Sequence, residues 1–250
     1  MLDVYWLEQS LADVPQQNDW LSTSDLARLD GMRFEKRRTD WRLGRWTAKR
    51  VLAARLRLPA HFQSLAEIEI RPASSGAPEV FLAGEPAEVT ISISHRDGMA
   101  ICAVAEAGAS LGCDLEIVEP RSDAFVADYF TADEQRLVFQ AGVADRFQML
   151  ALLWSAKESA LKAMRVGLRL DTRDVVVNPC AGAAREGEPA HEQGSSGGSN
   201  CWRPLQVCSG ADQVFKGWWR REHNVMRTMV AIPAPFQPVT LSVEDHVSQP

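Results

Sequence analysis

Apolar positions recur along the chain at two periods, and the period changes in blocks. Residues 1–8 have the pattern of an edge strand, and residues 22–35 read as a helix capped by Ser22 or Ser24. In the next helix Arg38, Arg42, Arg45 and Lys49 fall on one face and Leu43, Thr47, Val51, Ala54 and Leu58 on the other, until Pro59 stops the run. From 65 to 118 the pattern turns to alternation. EIEIR (67–71) is followed by a turn near Ser74, Ser75 and Gly76, and TISIS (90–94) and MAICAVA (99–105) flank a hairpin turn at 95–98. In LGCDLEI (111–117), Leu111, Cys113, Leu115 and Ile117 face one way, and Gly112, Asp114 and Glu116 the other. Residues 122–130 predict a short helix, and Thr131–Glu134 is a capping box opening another. A long helix over 145–166 should end at Gly167. Strands follow near 174–178, 202–208, 213–221 and 226–232. The Gly, Ser, Ala and Glu-rich stretch 181–200 reads as a mobile loop, and 241–250 as a tail.

Helices then strands, twice over, predict an α+β protein of two similar halves dividing near 106–110. The halves are 1–108 and 109–240, each a small antiparallel sheet with packed helices, and no strong sequence identity links them.

Composition narrows the function. With 250 residues, 46% apolar and 24% charged, the chain is an ordinary globular one and needs no disulfide staple. Five cysteines without a Cys-x-x-Cys pair point to reduced thiols in a cytoplasmic protein rather than a zinc site. No apolar run reaches membrane-spanning length. The net charge of −6 conceals a patch: residues 28–57 alone carry +8. A local cationic patch on an acidic chain suits a small anion better than nucleic acid, for which interleaved aromatics and a helix-turn-helix pattern are missing. A solvated helix face is the simpler alternative.

Three constellations carry candidate chemistry. Asp114 and Glu116 sit two apart on a strand and point to one side, an arrangement of oxygen ligands that suits Mg²⁺ before Zn²⁺, or else a solvent-facing strand edge. Trp154, Glu158 and Lys162 form one stripe of a helix. Glu158 and Lys162 are either a helix-stabilising pair or a carboxylate beside a phosphate clamp, and Trp154 is either core or part of that stripe. Ser94 and His95 close a strand beside Arg96, where His and Arg can bond phosphate oxygens or simply make a turn. A Ser-His triad is not expected, since there is no Gly-x-Ser-x-Gly elbow and neighbours on a strand point to opposite faces.

Taken together, four blocks resemble the 4′-phosphopantetheinyl transferase superfamily in its long monomeric type. They are Arg28…Arg33-Phe34…Gly44-Arg45…Lys49, Ser94-His95, Gly112-Cys113-Asp114-Leu115-Glu116 and Trp154-x-x-Lys157-Glu158-x-x-x-Lys162. The resemblance implies a pseudo-dimeric α+β fold with coenzyme A in the cleft between the halves. It implies transfer of the phosphopantetheine arm from coenzyme A to a serine of an acyl or peptidyl carrier protein domain, releasing 3′,5′-ADP. It assigns Asp114, Glu116 and Glu158 to Mg²⁺ (or Mn²⁺), Glu158 to the base, and Lys162 to the phosphates. Coenzyme contacts fall to Arg28, Arg45, Lys49, Arg71, Ser94, His95, Asp114, Lys157 and Lys162. The family often reads Gly-Lys-Pro where this chain has Gly76-Ala77-Pro78, which leaves a phosphate contact to Arg71 or Arg96. Cys113 reads as a core filler, not a nucleophile. A monomer without membrane or nucleic-acid partners is expected. A catalytically weak coenzyme A- or carrier-binding protein of the same fold is the alternative.

Overall fold

The computed structural model describes residues 1–59, 61–179, 201–210 and 213–242, so the calls on 181–200 and on most of 241–250 lie outside the described residues. In chain order the elements are β1 (Tyr5–Ser10), α1 (Thr23–Asp30), α2 (Glu35–Leu56), α3 (Phe62–Glu67), β2 (Ile68–Pro72), β3 (Pro78–Leu82), β4 (Glu85–Pro86), β5 (Val89–Arg96), β6 (Met99–Glu106) and β7 (Ser110–Ile117). They continue with α4 (Asp123–Tyr129), α5 (Ala132–Gln140), α6 (Arg146–Ala163), β8 (Val175–Asn178), β9 (Arg203–Ser209), β10 (Gln213–Glu222), β11 (Val225–Ile232) and β12 (Val239–Thr240). The architecture is mixed α+β with three sheets, ordered β12-β1-β6-β5, β7-β11-β10-β9-β8 and β2-β3-β4.

Alternation along the strands sorts side chains into layers. On β6, Cys102 and Val104 join Trp46, Val51 and Leu52 of α2 in one core, while Ile101, Ala103 and Ala105 turn the other way. There they meet Leu111, Cys113 and Leu115 of β7, so the first two sheets share a core. The third core lies under α6, where Trp154 packs edge-on to Phe125 and Tyr129 at 5.0 and 5.1 Å. Burial of these layers, at about 25 cal/mol per Å² of apolar surface, is the main term holding the halves together.

Three expectations change. β1 is an inner strand, flanked by β6 and by the parallel β12. β12 belongs to the first sheet although it comes from the chain's last part, so the division at 108 is not clean: Val239 and Thr240 pair with Tyr5 and Trp6. The short α3, β3 and β4 were not marked by any period.

The cationic face of α2 is largely tied to the protein's own groups, although Arg45 reaches a cleft wall. Lys49 is fully buried, and its ammonium donates to Asp25 (2.7 Å) and to the carbonyls of Leu65 (3.0 Å) and Trp20 (3.2 Å). Arg38 and Arg42 bond the carbonyls of Leu29 and Pro15, at 2.7 and 2.5 Å. In the second half Lys157 repeats the arrangement on α6. It is fully buried, and its ammonium meets Glu134 at 2.9 Å, Thr172 O at 2.7 Å and Val175 O. Asp25 and Glu134 are themselves the acidic members of capping boxes, with Ser22 on α1 and Thr131 on α5. Each half thus pins its long helix to the N-terminus of a short one through a buried ion pair.

The long helices also end alike. After α6, Arg165 N–H donates to Lys162 O at 3.0 Å and Val166 N–H to Leu161 O at 3.2 Å; after α2, Leu58 N–H donates to Ala53 O at 2.9 Å. Both are Schellman turns, with Arg165 (φ 59°) and Arg57 (φ 56°) in the left-handed position that glycine usually fills. A side chain there costs about 1 kcal/mol, which a cation at a helix C-terminus offsets by roughly 0.3–1 kcal/mol. The α6 cap therefore falls at Arg165, two residues before the expected Gly167. The halves are expected to be similar without strong sequence identity, yet a short local match exists: Trp46-Thr-Ala-Lys49 and Trp154-Ser-Ala-Lys157 match in sequence and in position, and Arg57 follows Lys49 as Arg165 follows Lys157.

Candidate active site at the junction of the two halves

β5 and β7 are edge strands of their sheets and meet side by side without a ladder. Side chains bridge them instead. Cys113 N–H donates to Ser92 Oγ at 2.9 Å, and Ser94 Oγ donates to Asp114 Oδ1 at 2.7 Å. Helix α6 crosses directly above β7. A Cβ on Gly112 would lie 1.8 Å from Ser159 O, so only glycine lets the helix come this close. That contact sets the helix over Asp114 and lets Lys162 reach it.

Lys162 donates to Asp114 Oδ1 at 2.7 Å and to Cys113 O at 3.1 Å. It pairs with Asp114, not Glu158, so the stripe on α6 is not a surface ion pair. Glu158 forms no hydrogen bond or ion pair with any described residue. Burial, then the charges of Asp114 and Glu116, push its pKa up to about 7 against the pull of Lys162. Glu116 is also raised, by burial first and Asp114 next. Burial acts to lower Lys162, but Asp114, Cys113 and Glu158 outweigh it and hold the ammonium above its ordinary value.

Part of this cluster suits a divalent cation. Asp114 Oδ2 is buried with no hydrogen-bond partner, and the donors nearby are all oxygens, as a hard ion requires. Glu116, however, is held by Arg121 at 3.0 Å and approached by Arg96 at 3.7 Å, which also bonds Glu119 at 2.8 Å. Among the described residues no three His, Cys, Asp or Glu side chains stand together at ion-binding spacing. The expected convergence of Asp114, Glu116 and Glu158 is therefore incomplete, because two arginines hold Glu116. Asp114 and Glu158 fit a hard cation as they stand.

A cleft of about 420 Å³ opens beside this cluster, and Lys162 belongs to both. Its walls carry Arg28, Arg45, Arg71, His95, Lys162 and Arg165 and, among the described residues, no acidic residue. Apolar Trp41, Ile70, Ile91 and Leu161 lie between them. Arg45 is tied to Asp25 at 3.3 Å and donates to Ile70 O at 2.9 Å. Arg71 holds Glu69 at 3.0 Å and lies over the Phe81 ring. His95, next to last on β5, is exposed at the cleft, and partial desolvation there lowers its pKa from the ordinary value. Arg169 donates to Ser75 O at 3.1 Å, joining the second half to the β2–β3 turn.

Several expected contacts are corrected. Lys49 and Lys157 are absent from the cleft wall, since both ammonium groups are buried in the ion pairs described above. Ser94 is buried with its hydroxyl committed to Asp114, so it orients that carboxylate. Arg96 turns to Glu116 and Glu119, which leaves Arg71 beside Ala77 in the cleft. Cys113 sits in the shared core, where burial pushes its thiol up to about 11. Arg121 and Arg165 were missed. Arg165 stands one turn beyond Lys162 in sequence, the one signal that pointed to it.

Among the described residues no helix is long and apolar enough to cross a membrane. No curated protein matches the chain. A solved holo-(acyl-carrier-protein) synthase from Bacillus anthracis str. Ames, in complex with CoA (3′,5′-ADP), is similar over 43% of this chain and 100% of its own, at 21% identity and a TM-score of 0.35. The family model ACPS, 4′-phosphopantetheinyl transferase superfamily, matches residues 110–203, the span that supplies Asp114, Glu116, Glu158 and Lys162. Residues 110–203 are thus similar to a 4′-phosphopantetheinyl transferase superfamily domain.

Proposed function

We propose that this protein transfers the 4′-phosphopantetheine arm of coenzyme A to a serine of an acyl or peptidyl carrier protein domain. The observation that carries this reading is Lys162, which joins an acid-free, cation-walled cleft to a cluster of carboxylates. The cleft would take the phosphates and the cluster the reacting centre. The two long helices, with matching buried lysines and matching caps, support a pseudo-dimeric arrangement in which the coenzyme lies between the halves.

The carrier serine Oγ attacks the β-phosphorus of coenzyme A. The new O–P bond forms as the bond to 3′,5′-ADP breaks, and the serine proton passes to Glu158. Burial and the charges of Asp114 and Glu116 raise the Glu158 carboxylate above its ordinary value, which makes it basic enough for that task. Lys162 faces the charge that gathers on the phosphate oxygens. Arg28, Arg71 and His95 bind the phosphates of the ADP part, with Arg45 supporting the wall. Asp114 and Glu158 are the residues that would hold Mg²⁺ or Mn²⁺, which when bound would neutralise charge on the pyrophosphate, and Glu116 would join them on release from Arg121 and Arg96. Ser94 keeps Asp114 oriented.

Incubation with fluorescent coenzyme A and an apo carrier domain tests the proposal. Label should appear on the carrier serine, require Mg²⁺ and disappear with chelator. No labelling across a panel of acyl and peptidyl carriers, with metal present, would refute it.

A further inference from the structure

The arginines in the left-handed caps, Arg57 and Arg165, have the same backbone and differ in what surrounds them. Arg165 forms part of the cleft wall, and Arg57 does not. Within that wall Arg45, Arg71 and Lys162 each have a carboxylate partner, namely Asp25, Glu69 and Asp114. The Arg165 side chain forms no hydrogen bond or ion pair with any described residue. It lies one turn past Lys162 and beside Gly167, whose own φ of 56° continues the wall. A guanidinium without a partner, in a cleft lined by cations and no acid, has its five donors free for an anion.

We propose that Arg165 is a phosphate-binding residue of the cleft, taking a phosphate group of coenzyme A from the second half as Arg28 does from the first. This rests on the reading of the cleft as the coenzyme A site. A helix cap alone does not explain the residue. Glycine would fill this position without strain, and the Arg57 cap shows what the same turn looks like away from the cleft.

That comparison supplies the control. Coenzyme A, and separately 3′,5′-ADP, would be titrated calorimetrically into the full chain carrying Arg165→Gly, Arg165→Lys or Arg57→Gly, alongside thermal melts. Arg165→Gly should lower affinity for both ligands roughly tenfold or more, with an equal or higher melting temperature. Arg165→Lys should keep part of the affinity, since it retains charge but not the planar fork. Arg57→Gly should leave affinity unchanged. Affinity of Arg165→Gly within twofold of the unmodified protein, with that protein binding coenzyme A, would overturn the assignment of Arg165 alone. Failure of the unmodified protein to bind either ligand would overturn the parent reading of the cleft, and this assignment with it.

Discussion

Glu158→Gln replaces a carboxylate that the fold holds against its own preference. Burial and the charges of Asp114 and Glu116 raise its pKa from 4.5 to about 7. The folded state therefore keeps the proton to higher pH than the unfolded chain does. Stability is greatest below about 4.5 and is lost as pH climbs to about 7. At 1.36 kcal/mol per pH unit, ionised Glu158 costs about 3 kcal/mol above pH 7, as an upper limit because water enters and neighbouring groups relax. At pH 5 the same cost is about 1 kcal/mol or less. The glutamine variant should thus melt higher than the unmodified protein at pH 8 without divalent ions, by roughly 6–12 °C at the upper limit. The difference should shrink at pH 5. Saturating Mg²⁺ should narrow it at pH 8, since a cation beside the carboxylate favours the ionised form. Single-turnover transfer, by contrast, should fall roughly 10²-fold or more. A melting increment equal at pH 5 and pH 8 would refute the repulsion argument. An unchanged single-turnover rate would refute the assignment of Glu158 as base.

Four further outcomes follow from the same geometry. The single-turnover rate of the unmodified protein with Mg²⁺ should rise with pH through a midpoint below 7, because the cation favours ionised Glu158, and a rate that does not fall between pH 8 and pH 4.5 would contradict its role as base. Gly112→Ala puts a Cβ 1.8 Å from Ser159 O, so α6 must shift; a loss of roughly 2–4 kcal/mol in denaturant titration is expected, with slower transfer. Lys157→Met leaves Glu134 buried without its cation and should cost about 3–5 kcal/mol, while the folded fraction binds coenzyme A as before by calorimetry. Asp114→Asn should abolish transfer and weaken Mn²⁺ binding measured by electron paramagnetic resonance, since Asp114 Oδ2 is the buried oxygen left without a partner.

The sequence made some of this legible and hid the rest for identifiable reasons. Alternation in 111–117 correctly separated Leu111, Cys113 and Leu115, which enter the shared core, from Gly112, Asp114 and Glu116 on the α6 side. The Thr131–Glu134 box opened α5 as expected. Local patterns suffice for such features because their partners are near in sequence. The cationic face of α2 misled for the opposite reason. Periodicity places Arg38, Arg42, Arg45 and Lys49 on one face, but what covers that face comes from Asp25, Trp20, Leu65 and Pro15 in other segments. The two-residue β12 is likewise defined only by its pairing with β1. The hold of Arg121 and Arg96 on Glu116 is also a tertiary fact, one that a motif of two carboxylates does not contain.

The repeat was present in the sequence and overlooked, because only four of the twelve positions in 46–57 and 154–165 are identical. Which four explains why they persist. Trp46 and Trp154 each fill the core under a long helix, Ala48 and Ala156 are fully buried, Lys49 and Lys157 pin the helix to a capping box, and Arg57 and Arg165 occupy the left-handed cap. All four seat a helix on a sheet, and Arg165 in addition stands on the cleft wall. The positions that differ include Arg50 against Glu158 and Ala54 against Lys162, which are the chemical residues of the second half. Within these twelve positions the first helix therefore carries scaffold alone, and the second carries scaffold and chemistry on the same framework. Lys157 and Lys162 illustrate the division within a single helix. The first is fully enclosed beside Glu134 and out of reach of any ligand, and the second reaches Asp114 while facing the cleft. A motif that names both lysines does not tell them apart, since five residues of helical rotation put one under the helix and the other at its open edge.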